Sequence, residues 1–241
     1  GWLTRHKRWG SKVYLAGESY GTTRGAALAD SLLSAFVALE GVILVSCAMD
    51  LQSLVFEHAN DLPYATFLPA FANVAQYHGK LKGALGASSQ AARQAAQAFV
   101  EEDYLRALHA GARLSNSERK RIAKRLAELT GLPTTVVEEQ NLRISDFFFF
   151  FELLRDQGKQ VGRLDARATG PMAAQRGREF EFDPGIEAIS APYGMATLAY
   201  FGETLGLTEP QRYELLNIDT HKAWNWNRGE SRGNSYCSTS P

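Results

Sequence analysis

The sequence predicts an α/β fold that opens with a parallel strand–helix–strand unit and continues into a long helical region. Two β-prone runs, residues 12–16 and 42–46, bracket a segment in which Leu28, Leu32, Ala35, Phe36 and Leu39 recur at helical spacing. Beyond about Leu51 the texture changes to alanine-rich and aromatic segments of helical period. The length, 241 residues, is enough for one large core or two small ones.

In chain order, residues 12–16 form the first strand, and the glycines of residues 17–21 break it. A helix over about residues 22–39 follows, with Gly41 as its expected stop. The uninterrupted apolar run of residues 42–46 reads as a strand buried on both faces. Two such strands joined by one helix imply a right-handed parallel crossover. Helices are then expected over residues 65–78 and 88–110, the latter ending at Gly111. Ser115 and Glu118 have the spacing of a capping box and open a helix that runs to Thr130, closed by Gly131 and Pro133. Residues 145–157 form a further helix containing the five-residue run Phe147–Phe151. Five successive rings cannot all face one side of a helix, so some are exposed or meet a second layer. Residues 158–184 read as an extended loop, 188–205 and 209–217 as helices, and 227–241 as a loop-like end.

The 26 basic residues balance the 26 acidic ones. This argues against a protein that works by gripping nucleic acid or an anionic membrane, and neither partner is expected. The basic stretch 113–125 carries six cations and one acid but no interleaved aromatic residue, and reads as a solvated helix face. The richest apolar stretch, residues 25–49, is interrupted by Asp30 and Glu40, so no membrane span is expected. No secretory signal is visible, but the chain begins with Gly1, not methionine, and is expected to be part of a longer product. Cys47 is expected in the core and Cys237 has no obvious partner; two cysteines leave the compartment open.

One segment carries chemistry. Gly17, Ser19 and Gly21 have the Gly-x-Ser-x-Gly spacing of a nucleophile elbow, with a strand before it and an amphipathic helix after it. A serine at a sharp strand-to-helix turn occupies a strained backbone conformation, and glycines two residues to either side let strand and helix approach. The turn lifts the hydroxyl clear of the sheet, and the N–H of Tyr20 at the helix N-terminus is placed to stabilise an oxyanion. The plain alternative is a structural strand-to-helix turn. The glycine spacing does not fit a dinucleotide fingerprint, and no Gly-Lys-Ser/Thr run marks a P-loop.

Gly17-Glu18-Ser19-Tyr20-Gly21, preceded by Tyr14-Leu15-Ala16, resembles the elbow of the serine carboxypeptidase family of peptidases. Other stretches resemble the bacterial branch of that family. They run from Leu62-Pro63-Tyr64 through Leu68-Pro69 to Tyr77-His78-Gly79, from Glu152 to Asp156, from Val161 to Arg167, and over Trp224-Asn225-Trp226. The resemblance spans about Lys12 to Asn227; the phenylalanine run departs from it. It implies an α/β-hydrolase fold, here with a partial sheet in residues 1–53, a large inserted helical lid in 54–226 and a loop-like end in 227–241. It further implies a carboxypeptidase that releases C-terminal residues from a peptide substrate through an acyl-enzyme on Ser19. The backbone N–H of Tyr20 is then an oxyanion donor, Glu18 binds the substrate's terminal carboxylate, and Gly17 and Gly21 are the elbow glycines. Two carboxylates attract only when they share a proton, so an acidic working range follows. Neither a cofactor nor a metal is implied. The family is often exported, which allows a periplasmic or secreted location for the whole protein.

A serine nucleophile needs a base and an acid that orients it, in the chain order Ser, Asp or Glu, His. The resemblance places both on strands beyond the lid, and a second oxyanion donor on an Asn-Gly-Gly-Pro-Gly loop before the elbow. Neither is in this sequence. The chain is therefore expected to be truncated at both ends and inactive by itself. Of its five histidines, His221, two residues after Asp219, is the best substitute base, though it suits a surface turn better. His58 reads as a loop residue beside Glu57. His78 and His109 precede glycines at helix ends, and His6 lies in a basic leading segment. No histidine pair has metal-binding spacing. Trp224 and Trp226 are expected to close the lid against the core or to line a peptide pocket. Two alternatives stand beside the carboxypeptidase reading: an esterase or acyltransferase of the same fold, and a non-catalytic binding fragment.

Overall fold

The structure is a computed structural model that describes residues 1–57, 59–172 and 183–207, with positions 217, 219 and 223. His58, His221, Trp224, Trp226, Cys237, most of the expected helix 209–217 and the expected loop end 227–241 lie outside the described residues. The chain is mixed α/β and divides into two compact units, one holding Gly1–Val55 and the other beginning at Phe56.

The N-terminal unit contains a one-turn helix α1 (Trp2–Arg5), strand β1 (Tyr14–Glu18), helix α2 (Tyr20–Ser34) and strand β2 (Gly41–Val45). The two strands pair in parallel, with Tyr14 opposite Gly41 and Glu18 opposite Val45. The expected strand–helix–strand order is thus present, but its boundaries move. β1 runs on through Gly17 and Glu18, and α2 begins immediately after Ser19. Gly41 is not the helix stop; it opens β2. α2 ends earlier because Phe36 adopts a left-handed conformation, φ +61°. Its N–H bonds the Leu33 carbonyl and that of Val37 bonds the Leu32 carbonyl, which together close a Schellman turn.

β2 is not buried on both faces. Val42, Ile43, Leu44 and Val45 are all exposed, Ile43 at 51%. A single helix beside two strands cannot cover both faces of a sheet, whatever the apolar content of the strands. Cys47, expected in the core, is likewise an exposed free thiol just past the end of β2.

The helical unit is built from α3 (Leu62–Tyr77), the short α4 (Gly83–Gly86), α5 (Ser89–Phe99), α6 (Leu105–Ala110), α7 (Asn116–Thr130), α8 (Thr134–Glu139) and α9 (Asp146–Glu152). They are followed by strands β3 (Lys159–Val161) and β4 (Thr169–Pro171) and by α10 (Pro184–Ala199). α5 and α6 are joined by a π-helical turn over Val100–Tyr104, so the expected 88–110 helix is one run with a π segment inside it. The Ser115–Glu118 capping box forms in both directions, and Gly131 closes α7 in the left-handed region at φ +71°. The helix expected over 145–157 is shorter; α9 gives way to a 3₁₀ turn over Arg155–Gln157. The expected loop at 158–184 contains a small antiparallel hairpin, Gln160 opposite Gly170, which its lack of period concealed.

The core of this unit gathers α3, α5, α7 and α9 around Ala72, Ala96, Ala123 and Phe149, all fully buried. Alanines on α3 and α5 let the two helices approach closely, and the aromatic residues fill the remaining space. The phenylalanine run divides as helical geometry requires. Phe148, Phe149 and Phe150 are buried, Phe147 is exposed and Phe151 half-buried. Phe149 stacks on Phe71 of α3 with ring centroids 4.3 Å apart. Tyr104, fully buried in the π turn, stacks on Phe99 and donates its hydroxyl hydrogen to the Leu142 carbonyl at 2.5 Å.

Candidate active site

The candidate site lies in the N-terminal unit, at the junction of β1 and α2. Ser19 is the residue between them, with φ +53° and ψ −122°. An L-residue seldom adopts this combination, which costs about 1–3 kcal/mol and persists only where the surroundings impose it. Here they do so from both sides. The Ser19 N–H donates to the Val45 carbonyl at 2.9 Å, which extends the pairing of β1 with β2 by one residue. The Ser19 carbonyl accepts from the Thr22 N–H at 3.0 Å and from the Thr22 hydroxyl at 2.6 Å, so the first turn of α2 closes directly on it. The chain reverses from strand to helix over this one residue.

Gly17 and Gly21 serve different purposes. A Cβ on Gly17 would lie 2.5 Å from the Gly21 carbonyl carbon, closer still to its oxygen, and 3.0 Å from the Thr22 nitrogen. Only glycine fits there. A Cβ on Gly21 would meet nothing within 4 Å. The sequence reading expects both glycines to relieve the crossing of strand and helix. The structure assigns the steric need to Gly17, whose neighbour is the Gly21 backbone, not a Gly21 side-chain position.

Thr22 and Thr23 are the residues that sequence reasoning missed. Both are fully buried. The Thr22 hydroxyl accepts from the Ala48 N–H at 2.9 Å while donating to Ser19, and the Thr23 hydroxyl donates to the Ala48 carbonyl. Together they tie the start of α2 to the segment after β2. Two adjacent threonines after an elbow serine, where an amphipathic helix would place one apolar residue, were the available signal.

Ser19 itself is exposed, and so is Glu18 at the end of β1; Tyr20, the first residue of α2, is half-buried. The Tyr20 backbone thus lies at the positive end of the α2 dipole, where an anion is favoured. Glu18 forms no ion pair among the described residues, and the Ser19 hydroxyl has no hydrogen-bond partner among them. Among the described residues no histidine is brought to Ser19 by a hydrogen bond. His6 caps α1 and lies against Trp2, with ring centroids 4.6 Å apart. His78, expected to act on the α3 dipole, uses its Nε2 on the Ala166 carbonyl at 2.7 Å and so anchors the loop between β3 and β4. His109 is exposed in the last turn of α6, and Asp219 is exposed.

Three of the six cations of the basic stretch 113–125 are engaged by side chains elsewhere in the helical unit. Arg121 holds Asp103 in a two-pronged ion pair at 2.7 and 2.8 Å, Arg125 pairs with Glu128, and Arg119 donates to Asn141. The Arg121 guanidinium keeps the Asp103 carboxyl below the usual carboxylate range. Among the described residues no three histidine, cysteine or acidic side chains gather as a metal site, and no helix is long and apolar enough to cross a membrane. No protein-family model, no curated protein and no solved structure matches this chain.

Proposed function

We propose that the chain carries the nucleophile of a serine hydrolase of α/β-hydrolase type, acting as a carboxypeptidase on peptides with a free C-terminus. The observation that carries the reading is the backbone of Ser19. A positive-φ serine stands between a parallel strand and a helix, with a Gly17 that no other residue can replace. This combination presents a hydroxyl on a rigid turn at a helix N-terminus, the geometry that acyl transfer needs at its nucleophile. In this reading Ser19 Oγ attacks the scissile carbonyl and the Tyr20 N–H takes the developing oxyanion. Glu18, adjacent and exposed, meets the terminal carboxylate through a shared proton. The reading also requires a base and an orienting acid, which no hydrogen bond identifies for Ser19 among the described residues.

A binding module that keeps the elbow without the chemistry is favoured by one observation, the absence of a hydrogen-bond partner for the Ser19 hydroxyl among the described residues. One experiment separates the readings. The native protein, isolated with whatever chain flanks these residues, is treated with a fluorophosphonate and assayed on blocked dipeptides with free or amidated C-termini and on the matching ester. The carboxypeptidase reading expects covalent label on Ser19 and a preference for the free carboxylate that Glu18→Gln removes. Label without that preference points to an esterase or acyltransferase. Native protein that takes no label at Ser19 overturns the hydrolase reading.

A further inference from the structure

We infer that the helical unit holds a binding site for a small amphipathic anion, one with an apolar body and a single carboxylate head, in the cleft between the end of α7, the Lys80–Leu85 segment and the turn after α9. The cleft measures about 1020 Å³, at the upper end of the range for small-molecule sites. It is independent of the Ser19 reading, because every residue that lines it belongs to the helical unit.

Its walls are of two kinds. Leu85, Leu132, Val136 and Leu153 supply apolar surface backed by the core, since Leu132 and Leu153 are themselves core residues. The charged lining is four cations, Lys80, Lys82, Lys124 and Arg155, and three acids, Glu128, Glu152 and Asp156. Each acid already has a cation. Asp156 takes both its oxygens to Lys80 at 2.7 and 2.8 Å, Glu152 pairs with Arg155 at 2.8 Å, and Glu128 pairs at 3.0 Å with Arg125, which stands outside the lining. Lys82 and Lys124 are left without an ion-pair partner among the described residues. The cleft therefore presents two uncompensated positive charges beside an apolar wall.

That composition selects among ligand classes. A neutral apolar molecule gains the wall but nothing from the two ammonium groups, which stay hydrated. A cation is repelled. A carboxylate on a short alkyl or aryl body satisfies both kinds of wall at once, because ammonium groups on flexible stems reach an anion while their methylenes lie along the apolar surface. The fixed Lys80–Asp156 pair limits one side of the cleft. Gly131 brings the end of α7 against it, where a Cβ would lie 2.6 Å from that of Lys80.

The test is a titration of the uniformly ¹⁵N-labelled chain with sodium octanoate, and in parallel with 1-octanol, followed by amide correlation spectra. Octanoate is expected to shift the amides of Lys82, Gly131 and Thr134 saturably. The Lys82→Glu/Lys124→Glu variant should raise the midpoint at least about tenfold, while octanol should bind weakly and equally to both proteins. Both lysines are exposed, so the double variant is expected to keep the fold, which an unchanged amide dispersion would verify. A second variant, Val136→Trp, fills the cleft and should abolish the shifts without altering the lysines. Equal binding of octanol and octanoate, octanoate shifts that avoid the cleft, or full affinity in either variant would each overturn the assignment.

Discussion

A side-chain carbon on Gly17 would sit 2.5 Å from the carbonyl carbon of Gly21, a separation that no relaxed structure holds. Strand and helix meet backbone to backbone at this point, and the clash cannot be relieved by turning a flexible side chain. Gly17→Ala is expected to destabilise the N-terminal unit by about 1–3 kcal/mol, as overpacking does. Gly21→Ala, with open space and helical backbone, is expected to be neutral or to stabilise by about 0.5–1 kcal/mol. Urea unfolding of the two variants checks the asymmetry; equal losses would refute it.

The strain at Ser19 gives a second test. Glycine tolerates φ +53° without the Cβ clash, and alanine does not. Ser19→Gly should therefore be more stable than Ser19→Ala by about 1 kcal/mol, although both remove the nucleophile. The difference in thermal midpoint between the two variants measures the strain independently of any activity.

Thr22 is isosteric with valine, but its buried hydroxyl makes two bonds, to the Ser19 carbonyl and from the Ala48 N–H. Thr22→Val leaves the Ala48 N–H without that acceptor at a partly buried position, and removes the donor to the Ser19 carbonyl. A loss of about 1–3 kcal/mol is expected, with faster hydrogen exchange at Ala48 than in the parent chain. Unchanged exchange at Ala48 would mean that the tie does not hold the segment after β2.

In the helical unit, burial raises the Tyr104 hydroxyl well above the ordinary tyrosine range, so it stays protonated in the fold. The unfolded chain releases this proton near pH 10. A raised folded value gives stability that is fully present below that pH and is lost as pH rises beyond it. Denaturant midpoints should fall between about pH 9 and 11.5. Tyr104→Phe should flatten that fall, at a cost of about 0.5–1.5 kcal/mol at neutral pH for the lost bond to Leu142. A variant with the parent's alkaline slope would exclude Tyr104 as a source of it.

The features legible in the sequence are those whose causes lie within one turn of the chain. The Ser115–Glu118 capping box, the left-handed Gly131 stop and the position of Ser19 between a strand and a helix each depend on a few adjacent residues. The end of α2 differs from the sequence expectation for the same reason in reverse. The pattern places the stop at Gly41, whereas the chain uses Phe36 in the left-handed region, where a bulky residue is uncommon.

By itself, then, the sequence determined the strand–serine–helix order, the mixed α/β class and the helical character of the stretch from Leu62 to Glu152, because propensity, period and capping act locally. Only the tertiary structure decided which residues are covered. The apolar β2 stays exposed because one helix lies beside it, Cys47 is exposed with it, and of five adjacent phenylalanines three are buried, Phe149 where it stacks on Phe71 of α3. It also decided that Thr22 and Thr23 hold the elbow through Ala48, 26 and 25 residues away respectively. Burial and long-range hydrogen bonds depend on what the rest of the chain places nearby, and no local pattern encodes that neighbour.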